Sequence, residues 1–515
     1  MSKGKIIFKP YFVQKGRGPH LFDFVMTLDE NGDAFHSDIK VTSEGIVISD
    51  TEGREKFSIS VRWNVEGYGY LFMPSDNKGD FYELPPTGVL ELNLNYELAK
   101  TRVTRNRKRK NFFEKDGWKA SNIIKHNLDL SEELMNDAQK YRDSNIQCAE
   151  FAQKSLLYST LVSEMMEVEK ARFDIEKNGR RKDFYFGCDA RGYFQMDSPE
   201  LFMERFIEAF NYATITHYLK GDFIDFEAVE GNKKFSEREK LVNKFNKRNI
   251  TVEGRPLFWA HSWVTPDWLK QKSYAELLKY VEKHVREVVK FYKDKVEIWE
   301  VVNEMHDWAN EAQLNHEQTI ELTKLACDVA RDTNPNIKLL INNCCPFADY
   351  VQKGVWNQIP AKFPQRTPHQ FTKQIIEAGV DFDIIGVQVY FVHHTLTEAL
   401  QSIERYEGMG KSVQLAEIGA TSYGITKEFI EADEDFSTQP YEWRRHWDEE
   451  LQADWLENIF TYAYSKNFIE AANWYDFVDP YSFLKKGGIL RSPMGEKKSA
   501  FDRLINLKDK WNSLK

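Results

Sequence analysis

Two apolar segments of the chain end on side chains that could carry out acid–base chemistry. Residues 295–308 read KVEIWEVVNEMHDW, so that β-forming Ile, Trp and Val residues run directly into Asn303 and Glu304. Residues 413–420 read VQLAEIGA and place Glu417 near the end of a second apolar run. Two carboxyl groups in one site can act together, because one donates a proton to a leaving group while the other attacks the electrophilic carbon. Such chemistry requires a fold that brings Glu304 and Glu417 together.

From about residue 183 onward, short apolar runs alternate with longer amphipathic stretches. The eight runs are DFYFGCDA, YATITHYL, PLFWAHSW, VEIWEVVNE, KLLINNCC, DIIGVQVYF, VQLAEIGA and AANWYDFVD. Strands that alternate with helices predict a parallel sheet, and eight such units predict an α/β fold of the (β/α)₈ TIM barrel type. A doubly wound open sheet is the alternative. Polar and aromatic residues gather at the carboxyl ends of the runs, which favours the barrel because those ends share one mouth.

In a barrel, the fourth and seventh strands lie on opposite sides of the mouth, so Glu304 and Glu417 can converge on one bond. Cleavage of a glycosidic bond needs such a pair, with one carboxyl group kept protonated and the other ionised. For either residue alone, a carboxylate satisfied by an arginine or a helix N-terminus is the simpler interpretation. The placement of both on facing strands favours the catalytic interpretation.

The residues before the barrel have two different patterns. Residues 5–100 place apolar side chains at every second position between turn clusters, which predicts an N-terminal β-sandwich over residues 1–110. Its aromatic residues are compatible with a sugar-binding face of a carbohydrate-binding module or with a core; they are Trp63, Tyr68 and Tyr70. Residues 111–180 are predicted as a helical connector and residues 181–515 as the catalytic barrel. The basic run at 102–113 predicts a solvated linker, with binding of an acidic polysaccharide or nucleic acid as the alternative.

The composition limits the classes of partner. The formal net charge of −10 argues against nucleic acid or an anionic membrane as the main partner. The five cysteines have no regular spacing, and no metal-binding motif is present, so we expect no metal and no cofactor. The first residues, MSKGKIIFKPYF, lack the apolar segment of a signal peptide, which predicts either a cytoplasmic protein or a secreted one whose signal has been removed.

The segment WEVVNE resembles the fourth-strand motif W-D-V-V-N-E of glycoside hydrolase family 10, the endo-β-1,4-xylanase family. FWAHSWVTPDWL resembles the third-strand motif V-W-H-S-Q-x-P-x-W, and LLINNCC resembles L-x-I-N-D-Y-N of the fifth strand. IIGVQVYF resembles G-I-G-x-Q-x-H, VQLAEIGA stands where the family has I-T-E-L-D, and NWYDFVDPYSFL resembles W-G-V-x-D-x-x-S-W. The resemblance covers about residues 170–510 with all eight strands in order.

The resemblance implies a role for each matching residue. Glu304 matches the family's acid/base and Glu417 its nucleophile. Asn303 matches the amide that holds the sugar 2-hydroxyl and the nucleophile. The sugar-binding residues implied in the same way are His261 for a hydroxyl in the −1 subsite, Gln388 near the nucleophile, Trp474 under the −1 sugar and Lys220 toward the −2 sugar.

Several positions depart from the family pattern. Tyr390 stands in place of the sixth-strand histidine, and its phenol could take over the bond to the nucleophile. Trp263 stands in place of the third-strand glutamine and adds a stacking surface. Pro256, Ala260 and His217 replace other members of the sugar-binding shell. The chain is therefore expected to be a divergent member with weaker or broader activity.

We thus predict a retaining glycoside hydrolase that cleaves β-1,4-xylan or xylo-oligosaccharides by double displacement. A β-glucanase or another β-glycosidase related by clan is the alternative within the same class. A non-catalytic carbohydrate-binding protein is the alternative of a different class. In each case the partner is a polysaccharide or oligosaccharide.

Overall fold

Two β-sheets form the N-terminal part of the molecule. The computed structural model describes residues 4–11, 25–356, 359–390, 394–423 and 442–514. The strands are β1 (Lys5–Lys9), β2 (Val25–Leu28), β3 (Ala34–Phe35), β4 (Asp38–Thr42), β5 (Gly45–Asp50), β6 (Lys56–Val65), β7 (Gly69–Ser75), β8 (Tyr82–Glu83) and β9 (Val89–Asn93). One sheet has the order β4–β5–β1–β9, and the other has the order β3–β2–β6–β7 with β8 paired to β6. The sheets share a core in which the rings of Phe8 and Tyr82 meet edge to face.

Three helices follow the sheets without a linker. They are α1 (Leu94–Lys115), α2 (Asn122–Lys140) and α3 (Asn145–Asn178). Asn93 ends β9 and caps α1, since its side-chain oxygen accepts a hydrogen bond from the backbone N–H of Tyr96. The boundary predicted at residue 110 therefore falls inside a helix, whereas α3 ends close to the predicted start of the barrel.

The three aromatic residues of the sandwich are buried core residues. The indole N–H of Trp63 donates a 2.9 Å hydrogen bond to Gln153, and the hydroxyl of Tyr68 donates a 3.3 Å bond to Glu164, both on α3. Tyr70 is also buried. These rings attach the sheets to α3, so they do not form an exposed sugar-binding face.

The prediction of a solvated linker at residues 102–113 is wrong. These residues lie within α1, and two of the arginines point toward the barrel. Arg102 is buried and pairs with Glu398, while Arg109 bridges Glu167 and Glu404 at 2.7–2.8 Å. Glu398 and Glu404 belong to a barrel helix, so the basic residues dock the helical connector onto the barrel.

The barrel closes from eight parallel strands. They are β10 (Tyr185–Asp189), β11 (Tyr212–Thr216), β12 (Thr251–Arg255) with its short continuation β13 (Phe258–Trp259), β14 (Ile298–Asn303), β15 (Lys338–Asn343), β18 (Ile384–Tyr390), β19 (Ser412–Gly419) and β22 (Ile469–Trp474). Two hairpins beside the barrel supply β16 (Val355–Trp356), β17 (Ile359–Pro360), β20 (Glu442–Trp443) and β21 (Arg445–His446). The sheet runs β12–β11–β10–β22–β19–β18–β15–β14, and pairing of β12 with β14 closes it. The predicted (β/α)₈ fold is confirmed.

Helices connect the strands around the outside of the barrel. The described helices are α4 (Pro199–Ala209), α5 (Ser236–Asn246), α6 (Asp267–Lys270), α7 (Tyr274–Phe291), α8 (His316–Thr333), α9 (Asp349–Lys353), α10 (Pro368–Glu377), α11 (Leu396–Glu404), α12 (Glu449–Ser465) and α13 (Ser499–Asn512). No helix in the described ranges is long and apolar enough to cross a membrane.

The third barrel strand lies earlier in the chain than predicted. The sequence placed it at PLFWAHSW, whereas the main strand is TVEGR, residues 251–255, and only Phe258 and Trp259 of the predicted run pair with β14. Pro256 separates the two pieces because proline has no N–H to donate to a sheet ladder. Gly254 is required within the strand, since a Cβ there would lie 2.3 Å from the ring of Trp299.

The sheets, the connector helices and the barrel share one apolar core. One contiguous cluster, which extends from Ile6 to Trp511, contains most of their buried apolar side chains, and three smaller clusters of described residues lie beside it. Further contacts link the N-terminal sheets to the region between β18 and β19. The ring of Phe72 stacks on His394, which follows β18, at a centroid distance of 4.8 Å, and Asp33 pairs at 2.6 Å with Arg405, the residue that caps the carboxyl end of α11.

Candidate active site

Asn303 and Glu304 end the fourth barrel strand at the mouth. Asn303 is the last residue of β14, and Glu304 adopts φ +54°, a left-handed conformation that is unfavourable for a residue with a side chain. The backbone N–H of Glu304 donates a 2.9 Å hydrogen bond to the carbonyl oxygen of Asn342 on β15. This bond fixes the backbone turn from which the Glu304 carboxyl group reaches Trp259 and Gln388.

The Glu304 carboxyl group is surrounded by neutral donors. The Trp259 indole N–H donates to Oε2 at 3.0 Å, and the Gln388 amide donates to Oε1 at 2.9 Å. Burial, followed by the charge of Glu417, raises the pKa of Glu304 to about 7, although hydrogen bonds from Gln388, Trp259 and Cys344 oppose that rise. At neutral pH the group can therefore both hold and release a proton.

The Glu417 carboxyl group has a different set of partners. It lies on β19 and is buried. The Arg255 guanidinium and the Asn342 amide donate to Oε1, the latter at 3.2 Å, while the Tyr390 hydroxyl donates to Oε2 at 2.6 Å. Burial and the charge of Glu417 raise the pKa of Tyr390 well above its usual value, so the phenol remains a donor. Glu417 thus accepts hydrogen bonds from one cation and two neutral donors.

Strand register brings these side chains together. Gln388 pairs with Glu417 across β18 and β19, and Asn303 pairs with Asn342 across β14 and β15. The Gln388 amide also donates to the side-chain oxygen of Asn303 at 3.3 Å. Asn303, Glu304, Gln388 and Glu417 therefore lie at one level of the mouth, as their positions at strand ends predicted.

His261 and Trp263 form a wall beside Glu304. The His261 ring lies 4.9 Å from the ring of Trp259, the residue that bonds to Glu304, and 4.8 Å from the ring of Trp263. Burial lowers the pKa of His261 to about 4, and its Nδ1 accepts a 3.2 Å hydrogen bond from the backbone N–H of Trp263. The imidazole is therefore neutral, with its proton on Nε2. Trp263 is 67% exposed and offers a flat apolar surface.

Trp474 does not lie where the resemblance implied. Its side chain is 0% exposed, its ring packs edge-on against Trp455 of α12, and its N–H donates to the Gly487 carbonyl oxygen at 3.0 Å. The side chain thus points away from the mouth. The next residue, Tyr475, reaches inward instead, where its ring lies 6.2 Å from that of Tyr390.

Lys220 lies apart from the carboxyl pair. It is half-buried after β11, and within the described ranges its side chain has no hydrogen bond or ion pair to the other site residues. The segment nevertheless borders the cleft wall, because a Cβ on the adjacent Gly221 would come within 2.9 Å of the Trp263 carbonyl oxygen. Lys220 thus lies at the rim of the cleft rather than beside the two carboxyl groups at its centre.

Sequence reasoning missed three residues of the site. Arg255 was missed because TVEGR did not resemble a strand, although a charged residue immediately before a proline that ends a strand could have indicated it. Asn342 belongs to the quoted LLINNCC segment and could have been found from the alternation of that strand. Tyr475 was missed because the inward position at the end of the eighth strand was assigned to the adjacent Trp474.

Within the described part of the chain, no group of three or more His, Cys, Asp or Glu side chains is arranged to hold a metal ion.

A parallel barrel with two buried carboxyl groups in unlike surroundings at its mouth is the architecture of a glycoside hydrolase barrel. The family model "Glycosyl hydrolase family 10" matches residues 178–513, and the chain belongs to this family. The match begins at the end of α3, so the sheets and most of the connector lie outside the region that defines the family.

Curated relatives are similar at low identity. Endo-1,4-beta-xylanase B from Thermotoga neapolitana is 27% identical over 306 residues, which are 57% of this chain and 77% of that protein. Endo-1,4-beta-xylanase C from Paenibacillus barcinonensis is 25% identical over 280 residues, 49% of this chain. The matched region spans only 24% of the length of that second relative.

Among solved structures, native xylanase 10B from Thermotoga maritima is similar with a TM-score of 0.49 and 19% identity, covering 64% of this chain and 96% of that one.

Proposed function

We propose that the protein is a retaining glycoside hydrolase that cleaves β-1,4-xylan or xylo-oligosaccharides by double displacement. The observation that carries the proposal is the contrast between the two carboxyl groups. Neutral donors surround Glu304, whose pKa is raised to about 7, whereas Glu417 bonds to a guanidinium, an amide and a phenol. One group is therefore suited to donate a proton and the other to attack as an anion.

In the first step, Glu304 donates its proton to the glycosidic oxygen as the bond from that oxygen to the anomeric carbon breaks. Glu417 forms a bond from a carboxylate oxygen to the same carbon, which gives a covalent glycosyl-enzyme and releases the shortened sugar as an alcohol. The amide of Asn303 is positioned to hold the 2-hydroxyl of the sugar, and such a bond strengthens as positive charge develops on the ring.

In the second step, Glu304 is a carboxylate and takes a proton from water. The water oxygen bonds to the anomeric carbon while the ester bond to Glu417 breaks, so that the starting charges of both groups are restored. Gln388 supports both steps, because its amide bonds to Glu304 and Asn303 and so fixes the acid relative to the 2-hydroxyl site. Tyr390 holds the nucleophile in place of the histidine that the family pattern has there.

The aromatic wall favours a pyranose substrate. Trp263 offers an exposed ring, and neutral His261 has its proton on the nitrogen that can donate to a sugar hydroxyl. Lys220 at the rim is suited to a hydroxyl of a more distant sugar. The similar proteins named above are xylanases, which supports xylan ahead of other β-linked polymers. A β-glucanase activity is the second candidate, because several of the sugar-binding positions depart from the family pattern.

The first test follows the anomeric configuration of the product by proton NMR during hydrolysis of xylohexaose. Initial formation of the β-anomer is expected, and initial formation of the α-anomer would contradict double displacement. Parallel assays on linear xylan, glucuronoxylan, arabinoxylan, mixed-linkage glucan and cellulose identify the substrate. Turnover of the glucan alone would make the second candidate the better one, and binding without turnover of any polymer would indicate a carbohydrate-binding protein.

The variant Glu417→Gln tests the nucleophile directly. Loss of turnover on every substrate is expected, including those with good leaving groups, because no covalent intermediate can form. A 2-fluoro xylobioside that traps glycosyl-enzymes should label Glu417 in the unaltered protein, as mass spectrometry of its peptides can determine. Label on another residue would overturn the assignment.

A further inference from the structure

Arg255 is a buried cation in direct contact with the proposed nucleophile. It ends β12, and its side chain is almost fully excluded from solvent. One terminal nitrogen, Nη2, donates to Oε1 of Glu417, while Nε lies 3.2 Å from Oε2 of Glu300 on β14. The family resemblance assigned no residue to this position.

Arg255 and Asn342 each contact both Glu417 and Glu300. The Asn342 amide nitrogen donates to Oε2 of Glu300 at 3.1 Å and to Oε1 of Glu417 at 3.2 Å. Oε1 of Glu417 therefore accepts two hydrogen bonds, whereas Oε2 accepts one, from Tyr390. Since a carboxylate oxygen has about two acceptor sites, Oε2 is the atom left with a lone pair for the anomeric carbon.

Several other titratable groups face this region. They are Asp189 on β10, Glu253 on β12, Glu300 on β14, Glu304 after β14, Tyr390 on β18, Cys344 after β15, Tyr218 after β11, and Tyr475 and Asp476 after β22. Burial raises the pKa of Glu253 to about 7 and that of Glu300 well above its usual value, which favours their neutral forms. The positive charge of Arg255 is then directed mainly to Glu417.

We propose that Arg255 is a positioning residue for glycosyl transfer, which binds Oε1 of Glu417 and so leaves Oε2 turned toward the substrate. The inference rests on the proposed function, because it assumes that Glu417 is the nucleophile. A purely structural role would be to hold Glu300 in place within the core through the contact at Nε. The two roles differ in what happens to the pH dependence of the reaction when the cation is removed.

The test compares Arg255→Met and Arg255→Lys with Arg102→Met. Arg102 is a matched control, because it is also a buried arginine paired with a glutamate, but it docks α1 on the outside of the barrel. The measurements are kcat/KM against pH on an aryl xylobioside and the rate of labelling by a dinitrophenyl 2-fluoro xylobioside. In that labelling step Glu417 attacks the anomeric carbon while dinitrophenolate leaves, and the leaving group needs no proton from Glu304.

Removal of the cation disfavours the ionised nucleophile, so the acid limb of the Arg255→Met profile should move to higher pH by about 1–3 units. The labelling rate and kcat/KM should each fall by about 10²-fold or more, as for loss of a preorganised charged donor. Arg255→Lys should return the acid limb toward its original position, because it retains the charge, while the rate stays reduced. Arg102→Met should leave the limb unmoved.

An unmoved acid limb in Arg255→Met, with a rate loss no greater than that of Arg102→Met, would overturn the proposal. If Arg255→Met does not fold, the double variant Arg255→Met/Glu300→Gln, which also replaces the second carboxyl group that contacts the guanidinium, is measured in its place with the same expectations. Failure of the proposed function is distinguishable, because the unaltered enzyme would then not be labelled at Glu417, whatever the Arg255 variants do.

Discussion

The two carboxyl groups at the mouth lie in one site but have opposite surroundings. Glu304 accepts hydrogen bonds from an indole and a primary amide, and its pKa is raised to about 7 by burial and by the neighbouring charge. Glu417 accepts bonds from a guanidinium, an amide and a phenol. The difference shows how one barrel can raise the pKa of one glutamate while it places a second glutamate in contact with a cation.

The contrast is produced by neighbouring strands rather than by the glutamates themselves. β13 and β18 supply the donors to Glu304, whereas β12, β15 and β18 supply those to Glu417. Each donor is fixed by the register of its strand. Replacement of a single donor should therefore change the hydrogen bonding of one carboxyl group and leave the hydrogen bonds of the other nearly unchanged. Three predictions use this separation.

The largest effect is expected from Glu304→Gln. Loss of the acid should lower kcat/KM on xylo-oligosaccharides by about 10²–10⁴-fold, the usual contribution of general acid–base catalysis. Bond cleavage in a dinitrophenyl xylobioside should be nearly spared, because that leaving group needs no proton. The measurement is the pre-steady-state burst of dinitrophenol. Equal losses on both substrates would mean that Glu304 is not the acid.

A smaller effect is expected from Tyr390→Phe, which removes the donor to Oε2 of Glu417. A hydrogen bond to a charged group contributes about 1.5–3 kcal/mol, so kcat/KM should fall by about 10–100-fold. The loss should be the same for poor and good leaving groups, because it acts on the nucleophile. Tyr462→Phe is the control, since that buried hydroxyl donates to the Leu400 carbonyl oxygen outside the site. A loss confined to poor leaving groups would contradict the assignment.

The smallest effect is expected from Gln388→Met, which removes a donor that lowers the pKa of Glu304. In the unaltered enzyme, kcat/KM should decline as the pH rises through about 7, because the acid loses its proton. In the variant, the pKa of Glu304 should rise further, so this basic limb should move to higher pH. Gln401→Met removes a comparable donor to buried Glu167 and serves as the control. A basic limb that moves downward in Gln388→Met, or equally in both variants, would contradict this account.

Much of the fold could be predicted from the sequence, because its signals are periodic. Seven of the eight predicted runs contain a barrel strand, and the order of strands and helices determines a parallel barrel. The third strand was misplaced since Glu253, Gly254 and Arg255 interrupt its apolar pattern, and each is explained only by the assembled barrel. The basic run in α1 was misread for the same reason, because two of its acidic partners, Glu398 and Glu404, lie almost 300 residues away in the chain.

The members of the candidate site that could be predicted are those whose place at the mouth depends only on their position along a strand. Asn303, Glu304, Gln388 and Glu417 each stand at or near the carboxyl end of a strand, and the barrel then brings them together. Trp474 was misplaced because strand residues alternate between the two faces, and a shift of one position exchanges the inward residue for the outward one. The contacts of Arg255 depend on three strands at once, so no local pattern could reveal them.

The apolar core that runs without a break from the N-terminal sheets into the barrel has a consequence for thermal unfolding. Two parts that melt independently give two peaks in a calorimetric scan, whereas parts that share buried surface lose it together and give one. The continuous cluster and the buried pairs of Arg102 and Arg109 favour a single endotherm. A chain cut back to the family region, residues 178–513, would therefore expose to solvent the apolar surface that the barrel shares with the N-terminal sheets and helices.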